Sequence, residues 1–214
     1  MSEAQPEVEM QRVSLDDEPR VAIVGAGGYG RAALDVLLAA GLEAWILGFY
    51  DDAHKALPEK IRGFPILGDI AMLKSMLSIE TVQVIVAITE NKDRLRIANS
   101  IRALGGQFMT ATHPVAYVSE EATVGGGCVI AAGAVVHPNS TVGSHCYLGP
   151  NAVVDRDAQV GAGAWISSGA ILGTGARVGA RSVLGQNSGI GRKAVVEDDV
   201  EVGMLQAVAP EYEV

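Results

Sequence analysis

His137 stands eighteen residues before Asp155, and Asp155 opens the charged triplet Asp155-Arg156-Asp157 inside a tract of Val, Ile, Ala and Gly. A histidine beside a carboxylate can take a proton near neutral pH, because imidazole titrates there and the acid orients it. Arg156 cannot do this, since a guanidinium has no lone pair to offer and stays charged. A second group of suggestive residues lies near the other end. Gly25, Gly27, Gly28 and Gly30 form a G-x-G-x-x-G pattern in "GAGGYG", and Asp51 and Asp52 follow. Backbone N–H groups at the start of a helix can hold phosphate there, and an acid can hold a ribose hydroxyl. A half-chain of about 90 residues leaves little room for both halves of an NAD fold, so a single nucleotide moiety fits better. A glycine turn that binds nothing is the other reading.

The elements that must position these residues differ between the two halves. Residues 20–110 alternate strand and helix. "RVAIVGAG" reads as a strand, "GRAALDVLLAAG" as a helix stopped at Gly41, and "EAWILGFYDD" as a second strand. "DIAMLKSML" and "NKDRLRIANSIRALGG" read as helices, "VQVIVAIT" as a third strand and "FMTATHP" as a last short one. Such alternation implies a parallel sheet, so a Rossmann-like α/β domain is expected over 20–110.

From Val118 to Val208 every sixth residue is Val, Ile or Leu, sixteen in succession. At a chance of about 0.3 each, such a run has a probability on the order of 10⁻⁸. Two positions earlier stand small residues such as Ala122, Cys128, Cys146 and Ala164. Just after the aliphatic stand glycines such as Gly125, Gly143 and Gly161, which read as suppliers of turn conformations. Each hexad is then one short strand and a tight turn. Three hexads close a triangular coil, giving a parallel β-helix of about five coils over 111–208. Residues eighteen apart stack, which puts His137 over Asp155 on an outward turn and Cys128 over Cys146 inside, as reduced core thiols. His54, His113 and His145 read as surface or turn residues.

The formal charge of −9 argues against nucleic acid, which needs Lys and Arg to neutralise phosphate. Two cysteines give no disulfide framework. Residues 1–19 read as a disordered leader and 209–214 as a short tail. With no secretory signal and no membrane-length apolar run, a cytoplasmic protein is expected, inserted in no membrane.

The stretches "VAIVGAGGYGRAALDVL", "LGFYDD", "GFPILGD", "VAITENKDRLRIA" and "THPVAYVSEEATVGGGCVI" follow one another. In that order they resemble the left-handed β-helix (hexapeptide-repeat) sugar acyltransferases, specifically sialic-acid O-acetyltransferases and bacillosamine-pathway UDP-amino-sugar N-acetyltransferases. The resemblance implies transfer of an acetyl group from acetyl-CoA, as cosubstrate, to a nucleotide-linked sugar in bacterial surface glycan synthesis. It implies no metal, and a homotrimer with acetyl-CoA between neighbouring prisms. Carried over, Gly25, Gly27, Gly28, Gly30, Asp51 and Asp52 would hold the nucleotide. Gly173, Thr174, Gly175 and Gly203 would bind acetyl-CoA, with an oxyanion donor near Gly173–Gly175. The catalytic corner would be Asp155, Arg156 and Asp157, but Arg156 stands where the family carries histidine, and Trp165 stands where it carries a second one. His137 is then the best substitute base, and Asp157, paired with Arg156, a poorer one. A non-catalytic nucleotide-sugar-binding or structural trimer is the alternative.

Overall fold

A computed structural model describes residues 20–79 and 81–209. The expected leader, and the tail from residue 210, lie outside the described residues. The first half is a six-stranded sheet with β1 (Arg20–Val24), β2 (Ile46–Tyr50), β3 (Lys60–Ile61), β4 (Phe64–Gly68), β5 (Val82–Val86) and β6 (Gln107–Phe108). Its order is β3-β4-β2-β1-β5-β6, parallel except for the β3–β4 pair. That hairpin is absent from the sequence reading. Its turn is Arg62-Gly63, both in the left-handed region, with φ of 52° and 92°.

Three helices cover the sheet: α1 (Gly28–Ala39), α2 (Ile70–Leu77) and α3 (Asn91–Arg102). Ala33, Leu34 and Leu37 of α1 pack on one face of the sheet with Val21, Ile23 and Ile85. Leu73 of α2 and Ile97, Ala98 and Ile101 of α3 pack on the other with Val24, Val84 and Val86. Asp69 caps α2 by accepting a hydrogen bond from Met72 N at 2.8 Å.

"FMTATHP", expected as one strand, is two. Gln107–Phe108 closes the first sheet, and Ala111–Thr112 already pairs with Val129–Ile130 in the second half. From there the chain winds into a three-faced parallel prism of two-residue strands. One face has six strands, from Ala111–Thr112 to Glu201–Val202. The next has six, from Tyr117–Val118 to Ala207–Val208, and the third has five, from Thr123–Val124 to Val195–Val196. The register is eighteen throughout, as in Val136 opposite Val154 opposite Leu172. The hexad aliphatics from Ile130 to Val202 and the small residues between them fill the prism. Cys128 and Cys146 are free and fully buried there, each thiol 3.2 Å from a backbone carbonyl, of Gly143 and Gly161.

The turns correct the expected role of glycine. Gly161 and Gly179, which follow inward aliphatics, do not have positive φ. They are required by the closeness of the coils, because a Cβ would lie 2.4 and 2.3 Å from the next coil's backbone nitrogen. The left-handed position comes two residues later. It recurs at every sixth residue from Gly127 to Leu205, with φ between 55° and 80°. Nine of those fourteen positions are not glycine, among them Asn139, His145, Asp157, Arg181 and Leu205.

The two halves dock through α1 and α3. The α1 flank of the sheet shares one apolar cluster with Ala111, Val129, Tyr147 and Trp165 of the first prism face. Tyr29, inside the glycine motif, drives its ring edge-on against Tyr147 and Trp165 at 5.1 and 4.9 Å. Helix α3 runs along an adjoining edge of the prism. Arg94, fully buried, donates to the carbonyls of His145 at 2.9 Å and Gly163 at 2.7 Å from one side of its guanidinium. It also donates to Ile88 and Thr89 carbonyls and to Asn91 Oδ1. Asn91 in turn donates to Arg181 O at 2.7 Å, and Lys92 pairs with Asp199 at 3.5 Å.

Candidate functional site

The glycine loop lies at the carboxyl end of β1, between β2 and β5, where the sheet order reverses. Such a switch point leaves a crevice outside the strand ends. Gly25 has φ 99°, and a Cβ there would lie 2.6 Å from Ala87 O; a Cβ on Gly30 would lie 1.9 Å from Gly25 O. These two glycines let the loop fold tightly under α1. Gly27 and Gly28 are exposed, and a Cβ on either would meet nothing within 4 Å. They leave the first N–H groups of α1 open to approach.

The two acids divide their work. Both carboxylate oxygens of Asp51 accept backbone N–H groups, Oδ2 from Ala26 and Oδ1 from Ala53, each at 2.8 Å. Asp51 therefore braces the loop. Asp52 is exposed and, among the described residues, accepts only from Ile70 N, at 3.1 Å through Oδ1.

On the prism, His137 is half-buried at the start of a turn, and its N–H donates to Val154 O at 2.9 Å. Asp155 takes the same place one coil on. The Tyr117 ring stands 6.5 Å from the imidazole, edge-on. Asp155 Oδ2 accepts from the Thr174 hydroxyl and Oδ1 from Arg156 N, both at 2.7 Å. These bonds, Thr174's first, hold its carboxyl below the usual carboxylate range, with smaller help from His137 and Arg156.

Arg156 does not pair with Asp157 as expected. Its Nε lies 3.9 Å from Asp155 Oδ1, and Asp157 occupies the left-handed turn position at φ 60°. Among the described residues Asp157 has no side-chain partner. At the expected oxyanion donors, Gly173 N donates to Ile190 O and Gly175 N to Arg156 O, at 2.8 and 2.9 Å. Both belong to the inter-coil ladder, which leaves Thr174 N as the one donor of the three without a partner among the described residues. Gly203 N donates to Gln206 Oε1 at 2.9 Å in the last coil.

Trp165 is on the covered face, away from this edge, among Tyr29, Tyr147 and Arg94. His113 is a turn residue, as expected, whereas His54 opens the short 3-10 helix His54–Ala56 and is half-buried. His145 is a turn residue but not a surface one: it is 1% exposed, packed against Phe108 and 3.1 Å from Arg102 Nη2. Burial first, then Arg102 and Arg94, lower its pKa to about 4. Since arginine can only donate, Nε2 accepts, and the buried Nδ1 carries a hydrogen without a partner.

Sequence reasoning missed Tyr29, Arg94 and Asn91. Arg94 stands three, four and seven residues before the buried Ile97, Ala98 and Ile101. That spacing on the apolar stripe was the available signal. Among the described residues no group of three or more His, Cys, Asp or Glu could hold a metal, and no helix is long and apolar enough to cross a membrane.

Comparison with known proteins matches each half separately. Residues 20–101 match the family described as PglD N-terminal domain, and 116–156 match bacterial transferase hexapeptide (six repeats). GDP-perosamine N-acetyltransferase from Escherichia coli O157:H7 is 29% identical over 126 residues, 56% of this chain and 55% of that protein. The chain thus spans about half the length of the curated relative it matches. The acetyltransferase domain of PglB from Neisseria gonorrhoeae is 30% identical, with 92% of this chain and 94% of that one aligned at a TM-score of 0.85. PerB from Caulobacter crescentus, solved with CoA and GDP-perosamine, is 26% identical over 90% and 89% of the two chains, at a TM-score of 0.83.

Proposed function

The chain belongs to the left-handed β-helix, hexapeptide-repeat sugar acyltransferases, and we propose that it transfers an acetyl group from acetyl-CoA to the amine of a nucleotide-linked amino sugar used in bacterial surface glycans. The observation that carries the reading is His137 one coil from Asp155, on the edge where the family places transfer. The relatives' printed activity, N-acetylation of GDP-perosamine, supports an amine as acceptor.

The chemistry follows from the groups present. His137 removes a proton as the acceptor nitrogen attacks the thioester carbon. Asp155, kept ionised by Thr174, orients the imidazole and stabilises it once charged. Thr174 N–H is the donor free to meet the oxyanion. The tetrahedral intermediate collapses with cleavage of the C–S bond, and His137 returns its proton to the departing thiolate. At the other end α1 cradles the diphosphate, Asp52 reads a ribose hydroxyl and Asp51 braces the loop. Arg192 and Lys193, two coils below Arg156, suit the phosphates of the cosubstrate.

Two features support a homotrimer. The glycine loop docks on the face opposite the His137–Asp155 edge, so one substrate is served from two chains. Beside that edge runs an uncovered apolar stripe of Tyr117, Val135, Val153 and Ile171, with Tyr117 55% and Ile171 49% exposed. Arg156 favours a second reading, a binding trimer without catalysis. The test is thiol release from acetyl-CoA with UDP- and GDP-linked amino sugars, for wild type, His137→Ala and Arg156→His. Turnover lost in His137→Ala is expected. An inert wild type with gain of turnover in Arg156→His would establish the second reading.

A further inference from the structure

Four of the five cations in residues 111–209 stand on or beside one edge of the prism: Arg156, Arg177, Arg192 and Lys193. The fifth, Arg181, is on another edge, held by Asp198 and Asp199 at 3.2 and 2.7 Å. Arg177, Arg192 and Lys193 have no ion-pair or hydrogen-bond partner among the described residues. In a chain of charge −9 this is a local basic strip on an acidic molecule.

Arg156 is its upper end. Its side chain is 65% exposed between two acids: Asp155, 3.9 Å from Nε with both oxygens already hydrogen-bonded, and Asp157, which has no side-chain partner among the described residues. The two terminal nitrogens of the fork are unused among the described residues. A planar fork of this kind matches a carboxylate through two parallel hydrogen bonds.

Position limits where the anion comes from. Arg156 follows Asp155 on the turn that lies one coil, about 4.8 Å, from the turn of His137. An anion held by Arg156 therefore lies at the same end of the acceptor as the nitrogen that His137 would deprotonate. The phosphates of CoA are separated from its thioester by the whole pantetheine arm and belong further down the strip. The diphosphate of the nucleotide already has its cradle at α1. We infer that Arg156 binds a carboxylate on the acceptor's sugar ring, so that the preferred acceptor is an acidic amino sugar. The inference rests on the acetyl-transfer reading of this edge. It also accounts for arginine where a base would stand: the position recognises the substrate, and the proton goes one coil up.

The test compares two nucleotide-linked amino sugars that differ only at C6, hydroxymethyl against carboxylate, each in UDP- and GDP-linked form. Calorimetric binding and kcat/KM are measured for wild type, Arg156→Gln and Arg156→Lys. Wild type is expected to favour the carboxylate at least tenfold in both. Arg156→Gln should erase the preference and Arg156→Lys keep part of it. Equal affinity in wild type, failure of both sugars to bind, or a preference that survives in Arg156→Gln overturns the inference. Binding without acetyl transfer counts against the transfer reading alone, because the binding preference still judges the arginine.

Discussion

Two edges of the same prism carry the same backbone groups and meet opposite surroundings. On the edge beside α3, the left-handed residues of successive coils are His145, Gly163, Arg181 and Asp199. The inter-coil ladder leaves their carbonyls unused, and Arg94 and Asn91 take three of them. On the edge with His137 the equivalent residues are Asn139, Asp157, Gly175 and Lys193, and no donor among the described residues meets their carbonyls. The histidines follow suit. His145 is sealed, ringed by arginines and held neutral. His137 is half-open beside an acid that stays charged. An edge whose carbonyls are mostly taken up by a neighbouring helix becomes an anchor, even with His145 Nδ1 left unpartnered, and one that leaves its groups unspent has capacity for a ligand.

The comparison breaks at its strongest point if His137→Ala keeps its activity. Loss of about 10²- to 10⁴-fold in kcat with unchanged thermal midpoint is expected. Arg94→Ala tests the other edge. It strands four carbonyls and Asn91 Oδ1, and urea unfolding should show a loss of about 3 to 5 kcal/mol. Arg94→Lys should recover little, since one ammonium cannot span both halves.

Acid sharpens the contrast. His145 titrates near 4 when folded and near 6.5 when unfolded. Between those values the unfolded chain binds more protons, so stability is full above pH 6.5 and is lost as pH falls towards 4. His145→Asn, which tolerates the left-handed backbone, should flatten that part of the curve. The smallest effect is expected at Leu205, at φ 61° and 72% exposed. Leu205→Asn should gain about 0.5 to 1 kcal/mol, because asparagine accepts this conformation at lower cost.

How far these edges could be read from the chain differs with the physics. The inward register was legible, because a closed prism admits only aliphatics and small residues at fixed spacing. The left-handed position was not. Glycine frequency marks the places where coils nearly touch, whereas the strained position tolerates Asn, Asp, Arg, Lys and Leu. The stacking of His137 on Asp155 followed from the period alone. The anchor at Arg94 did not, because a charged residue in "NKDRLRIANSIR" reads as solvent-facing unless its place on the Ile97–Ile101 stripe is weighed.

The fixed register of eighteen makes the prism a graduated scale. A side chain moved eighteen positions along the chain meets the same surroundings, displaced by one graduation of about 4.8 Å. Adding or deleting one whole coil would lengthen or shorten the scale without disturbing its other marks. Deleting a single residue would instead put every later mark out of line, turning inward aliphatics to solvent. Selection can thus slide a functional group by whole graduations while the framework stays as it is.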